Sequence, residues 1–255
     1  MNFRFFDGCF GIGRCNRQGS TAPTTVAEAL AVMDQYDIAE ALVYHYTARD
    51  CDPEVGNHAL PEKLPSRLHR VWAIESAAVC PEPPATFVER ALQQNVEAFL
   101  FSPMQTGFRL NESGRLAAIA ACLAERKLPL LLTYRHINGG ENLIDWADLT
   151  TFCRQHSNLR VLAGEWRTRV NRPLFDALAA TTNLMISVSM LWQHRMIDQI
   201  VDAFGADRLF FSAGLPGLDP GSFQMPIAYA QISDNEKEAV AFTNLKNLLG
   251  EVTDE

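Results

Sequence analysis

Eight short runs of apolar and β-branched residues recur along this chain, and their number and spacing limit the folds it can adopt. They are FRFF (Phe3 to Phe6), EALVYH (Glu40 to His45), HRVWAI (His69 to Ile74), VEAFLF (Val96 to Phe101), PLLLTY (Pro129 to Tyr134), RVLAG (Arg160 to Gly164), NLMISV (Asn183 to Val188) and RLFFS (Arg208 to Ser212). Several are apolar on both faces, as parallel strands covered by helices must be. Between them the pattern takes the helical repeat. Leu116, Ile119, Ala120 and Leu123 form one apolar stripe, and Ile197, Ile200, Val201 and Phe204 form another with the same spacing. Shorter stripes occur at Leu149, Phe152 and Cys153, at Leu174 and Leu178, and at Phe242, Leu245 and Leu249; the last would close the outer ring. Pro23 and the threonines beside it start a helix around Val26 to Met33, while Pro81, Pro83 and Pro84 mark a loop before Phe87 to Leu92. The alternation predicts an α/β chain forming one domain over residues 1–255, a single (β/α)8 TIM barrel. A doubly wound dinucleotide-binding sheet fits less well, because GCFGIG at Gly8 to Gly13 has its glycines at the wrong spacing and no clear apolar helix after it.

Composition removes other classes. Lys plus Arg number 22 against 30 Asp plus Glu, a net charge of -8, and no basic block offers a footprint for a phosphate backbone, so no nucleic acid is expected. The six cysteines contain no CxxC pair, which matches neither a disulfide framework nor a zinc knuckle and predicts reduced thiols. No apolar run is long enough for a membrane span and no signal-peptide pattern opens the chain. A cytoplasmic protein is expected, and exposed barrel helices make a homodimer the expected assembly.

A barrel carries its chemistry where strands end and βα loops begin. After the first run, Asp7 is placed to hold a glycine-rich loop through backbone N–H groups. Cys9 reads as a small buried residue or as a thiolate if a cation lies near. The fifth run leads to Arg135, a fork for carboxylate or phosphate, and His136, a proton relay near neutral pH; an inter-loop salt bridge and a packed histidine are the structural alternatives. Glu165 follows the sixth run as a general base, a metal ligand or an arginine partner, with Trp166, Arg167 and Arg169 beyond it. His45, between Tyr44 and Tyr46, is either a substrate contact or a half-buried ring bonded to backbone. Met190, Leu191 and Trp192 form an apolar wall for a small ligand or a cap on the barrel core. Asp219, before Pro220 and Gly221, reads as a turn residue.

The segment FGADRLFFSAGLP, from Phe204 to Pro216, resembles the final strand of the amidohydrolase superfamily, which commonly reads fGadRilFGSDyP. FFDGCFGIG resembles the opening iDaHvHiG, LPLLLTY resembles lPvlvHtg, and NLRVLAGEW resembles nlkvvlaHlg. The resemblance spans nearly the whole chain and points to the barrels related to aminocarboxymuconate-semialdehyde decarboxylase and to small amidohydrolase-like lactonases. It implies an amidohydrolase-like barrel from a family of metal-dependent hydrolases and decarboxylases. The matching positions have lost the family's ligands. Its first-strand histidine pair falls on Cys9 and Gly11, its fifth-strand histidine on or near Thr133, its sixth-strand histidine on Glu165 and its eighth-strand aspartate on Gly214. A catalytic zinc needs three protein ligands, so no metal and no other cofactor is expected. The expectation is a diverged barrel that binds a small anionic metabolite, with Arg135, Arg167, His45 and Trp192 as substrate contacts. One alternative is a metal-independent hydrolase or lactonase built on Glu165, His136 and Arg135. The other is a non-catalytic homologue whose mouth is filled by Trp166, Met190 and Trp192.

Overall fold

The computed structural model describes residues 3–15, 22–75, 82–134, 144–164, 172–191, 193–213 and 219–250. Each of the eight apolar runs holds a strand: β1 (Phe5–Ile12), β2 (Ile38–His45), β3 (Leu68–Ala73), β4 (Val96–Phe101), β5 (Leu130–Thr133), β6 (Val161–Gly164), β7 (Leu184–Ser187) and β8 (Leu209–Phe210). All pair in parallel, in sequence order. Around them run α1 (Val26–Gln35), α2 (Tyr46–Asp50), α3 (Pro53–Asn57), α4 (Pro84–Gln93), α5 (Pro103–Thr106), α6 (Gly114–Glu125), α7 (Trp146–Gln155), α8 (Arg172–Ala180), α9 (Met196–Phe204), α10 (Gly221–Tyr229), α11 (Asp234–Glu238) and α12 (Asn244–Gly250). A π-helical turn, Ala239–Thr243, joins α11 to α12. This is a (β/α)8 barrel.

The helices start where their caps place them. Thr25, Ser113 and Asp145 each accept the backbone N–H three residues ahead, at the starts of α1, α6 and α7. In α6 the buried residues are Leu116, Ile119, Ala120 and Leu123, the predicted stripe. In α9, Ile197, Ile200 and Val201 are buried while Phe204 is half-buried and packs on Phe175. These faces form one apolar core with the outer side of the sheet, whereas Phe6, Cys9, Leu42, Tyr44, Val71, Ala73, Ala98, Leu100, Leu131, Leu162, Met185 and Phe210 form a second core in the lumen.

The first strand departs from the sequence reading. It continues through the segment read as a glycine-rich loop, so Asp7 lies inside the strand. Its pairing with β2 shifts between Asp7 and Phe10, so Phe6 and Cys9 both reach the lumen while Phe5, Phe10 and Ile12 pack outward. The glycines serve close packing rather than a turn. A Cβ on Gly8 would lie 2.6 Å from the Phe210 ring, and one on Gly11 would enter the Tyr46 ring.

The seam between β1 and β8 is joined where Gly8 N–H donates to the Phe211 carbonyl at 3.0 Å. The C-terminal segment covers it: Phe242, Leu245 and Leu248 belong to the lumen core, and Phe242 packs on Phe6. The last stripe thus seals the barrel itself as well as completing the outer ring. Below Phe6, at the N-terminal end of the lumen, His69 stacks on the Phe6 ring. Its Nδ1 lies 2.9 Å from Glu97 and its Nε2 2.7 Å from Glu40, and Lys246 of α12 donates to Glu40 at 2.9 Å. Burial disfavours the charged imidazole, but Glu97 and then Glu40 outweigh it and raise the His69 pKa above its ordinary value. Burial likewise favours neutral Glu40, yet its bonds from Lys246 and His69 hold its pKa below the usual range.

Candidate ligand-binding site at the barrel mouth

At the opposite end, β2 passes directly into α2 without an intervening loop. His45 makes that junction: its Nδ1 accepts the Thr47 backbone N–H at 3.2 Å, capping α2. An accepting Nδ1 places the ring proton on Nε2, and burial lowers the His45 pKa in the same direction. The Nε2 side packs against Gly13, where any side chain would collide with it. Next, α3 presses on α2 at Gly56, whose Cβ would enter the Ala48 backbone. Asn57 then ties the pair to β3, donating to the Ala73 carbonyl at 2.9 Å and accepting the Ala73 N–H at 2.7 Å.

This fixed turn carries Arg49 into the barrel mouth. Its side chain is 1 % exposed. The guanidinium bonds Asp50 through Nε at 2.6 Å and Nη2 at 3.1 Å, and donates from Nη1 to the Tyr44 hydroxyl at 3.0 Å. It also stacks over the Tyr46 ring, 4.7 Å from its centroid. Tyr44 and Tyr46 meet edge to face. The Tyr44 hydroxyl lies 4.0 Å from Cys9 Sγ, whose position abuts Gly164 at the end of β6. A buried cation, two phenol rings and a thiol therefore share one corner of the mouth.

Hydroxyls occupy four further strand ends. Leu100, Leu131, Met185 and Phe210 face the lumen, so the residues two positions on, Ser102, Thr133, Ser187 and Ser212, face the same way one layer nearer the mouth. All four are buried. Ser102 donates to the Thr133 carbonyl, and Ser187 pairs with Ser189 at 2.7 Å. The hydroxyl oxygens of Thr133 and Ser212 have no hydrogen-bond partner among the described residues.

Of the sequence-predicted site residues, the structure describes His45, at the α2 cap. Glu165, His136, Arg135, Arg167 and Trp192 lie outside the described residues, as do Trp166, Arg169 and Gly214. Asp7 accepts the Cys9 backbone N–H at 2.9 Å, the kind of contact its carboxylate suggested. Asp219 takes the Tyr36 hydroxyl and caps the turn into α10 through its carbonyl. The described cysteines are free thiols, and burial pushes the Cys153 thiol up to about 12. Thr133 figures in the sequence reading of the site, but Arg49, Asp50, Ser102, Ser187 and Ser212 do not. The signals were present: a basic residue in the first turn after a barrel strand, and Ser or Thr at the last inward position of four strands.

The metal centre implied by the resemblance does not fit these side chains. Gly11 offers no donor and its side-chain space is filled by Tyr46, while Thr133 supplies only a neutral hydroxyl. Among the described residues, no three His, Cys, Asp or Glu side chains converge to hold a metal ion.

No family model matches the sequence, and no curated protein does. Solved structures do. An uncharacterised TIM-barrel protein from Bordetella bronchiseptica aligns over 97% of this chain and 99% of its own, with a TM-score of 0.73 and 16% identity. A 2,6-dihydroxybenzoate decarboxylase, solved with 2,6-dihydroxybenzoate, aligns over 97% and 99% with a TM-score of 0.71 at 13% identity. The 5-carboxyvanillate decarboxylase of Sphingomonas paucimobilis aligns over 98% and 100%, with a TM-score of 0.69 at 13% identity. The chain has the fold of amidohydrolase-related and decarboxylase-like barrels, with no intact metal-binding cluster among its described residues.

Proposed function

We propose that this barrel binds a small anionic organic molecule at the C-terminal ends of its strands, through charge and hydrogen bonds rather than a bound metal. The observation that carries the reading is the buried Arg49, packed on two tyrosines at the mouth of the lumen. Its bonds to Asp50 offset the cost of burial and, with the tyrosines, hold a guanidinium rigidly at the mouth without a metal. Two of the similar barrels are decarboxylases named for aromatic carboxylates, which makes carboxylates the first class to test. Within this proposal Arg135 and Arg167 supply further anion contacts, His45 and Trp192 line the ligand, and Glu165 with His136 moves protons if the ligand is turned over. Cytoplasmic location, a homodimeric assembly and the absence of a nucleic-acid partner belong to the same proposal. Among the described residues no helix is long and apolar enough to cross a membrane.

The test is a thermal-shift and calorimetric panel of carboxylates and phosphorylated metabolites, run with and without a chelator, beside elemental analysis of the purified protein. The expected result is stabilisation by carboxylates that the chelator leaves unchanged. A stoichiometric metal on which binding depends would overturn the reading. Turnover of an ester or lactone panel that Glu165→Gln abolishes would identify the protein as a hydrolase; turnover untouched by that change would remove Glu165 from its role.

A further inference from the structure

We infer that Thr133 and Ser212 are ligand-contact residues, whose hydroxyls donate to oxygen atoms of a small carboxylate entering the lumen from the mouth. This deepens the proposed function and rests on it. Both residues are 0% exposed, both face the lumen, and neither side-chain oxygen has a partner among the described residues. Buried hydroxyls are ordinarily satisfied, and one without a partner costs stability. The chain satisfies comparable groups elsewhere: Ser102 donates to a strand carbonyl, Ser187 pairs with Ser189, and Thr181 donates to the Ala177 carbonyl at 2.7 Å. At the same two positions valine and alanine would fill similar space without that cost. Among the described residues the buried hydroxyls without a partner are those of Thr133, Ser212 and Tyr134; Tyr134 packs in the outer core, so the two that face the lumen are at the ends of β5 and β8.

The surroundings set the chemical class. Thr133 is the register partner of Gly164, against which Cys9 Sγ lies, and Cys9 leads through the Tyr44 hydroxyl to Arg49. A charge-assisted hydrogen bond from a hydroxyl to a carboxylate is the stronger kind, and the Arg49–Asp50 pair adds no net negative charge to oppose it. The acceptor is therefore a carboxylate oxygen rather than an alcohol or an amine.

Thr133→Val and Ser212→Ala, in the full chain, separate this role from a structural one. Glutarate, citrate and benzoate serve as probes in calorimetric titrations at neutral pH, and each variant's unfolding midpoint is measured without ligand. The expected result is an unliganded midpoint equal to or above that of the wild type, with roughly fivefold to tenfold weaker probe binding for each hydroxyl removed. Probe binding to the wild type that both variants retain in full would overturn the inference and leave the proposed function standing. A lowered midpoint in the variants would also overturn it, because the hydroxyls would then be serving the fold. A wild-type protein that binds none of the probes, nor any carboxylate of the wider panel, would sink the proposed function and this inference with it.

Discussion

At the N-terminal end of the lumen His69 lies between Glu97 and Glu40, Lys246 completes Glu40, and Phe6 stacks on His69 and packs against Phe242. At the C-terminal end Arg49 is held by Asp50 and the tyrosines, while Thr133 and Ser212 are buried with oxygens that meet no described partner. The first end is a closed circuit of charges that answer one another. The second holds its cation rigidly but leaves donors open. A barrel keeps its stability at the end where strands begin and its chemistry where they finish, and the difference in polar satisfaction between the two ends follows that division.

The contrast breaks most visibly at Arg49. Arg49→Met would leave Asp50, whose side chain is 2 % exposed, as a buried charge without its main counter-ion. A loss of about 3–5 kcal/mol is expected in urea denaturation. A loss below about 1 kcal/mol would mean that the mouth does not depend on the pair. Next in size, Gly11→Ala pushes a methyl group into the Tyr46 ring and should cost about 1–3 kcal/mol. Combining it with Tyr46→Ala in a double-mutant cycle should show strong coupling, since one substitution makes the room that the other needs.

Titration sharpens the comparison from the other end. The folded pKa of His69 is raised above its ordinary 6.5, so the stabilisation it brings is complete below that pH and is lost as pH climbs through the folded value. For Glu40, lowered from 4.5, the contribution is present above that pH and is lost as pH falls through its folded value. The N-terminal circuit therefore stabilises most between pH 4.5 and 6.5, and His69→Gln should flatten the decline above that window. An unchanged stability profile in that variant would show that the circuit is not charged as drawn. The smallest effect belongs to the mouth, where Thr133→Val should leave unliganded stability unchanged or raise it by up to about 0.5 kcal/mol.

The barrel was legible because buried strands and half-buried helices leave different periods, and the stripe in α6 matches its buried face residue for residue. The N-terminal strand was shortened in the reading because Gly8, Gly11 and Gly13 look like turn residues. Pattern alone does not reveal that Phe210, Tyr46 and His45 lie against those positions. Nor does a sequence display the register shift that brings Cys9 into the lumen core. Arg49 carries no loop signal, because here a strand runs straight into a helix. Glu165, His136, Arg135, Arg167 and Trp192 lie outside the described residues.

The joint between the first strand and the eighth depends on residues that follow both. Phe242, Leu245 and Leu248 come after every strand, yet they shield the line along which the cylinder closes. They share a core with Phe6 and Phe210, so a chain cut before Phe242 would open that apolar line to water.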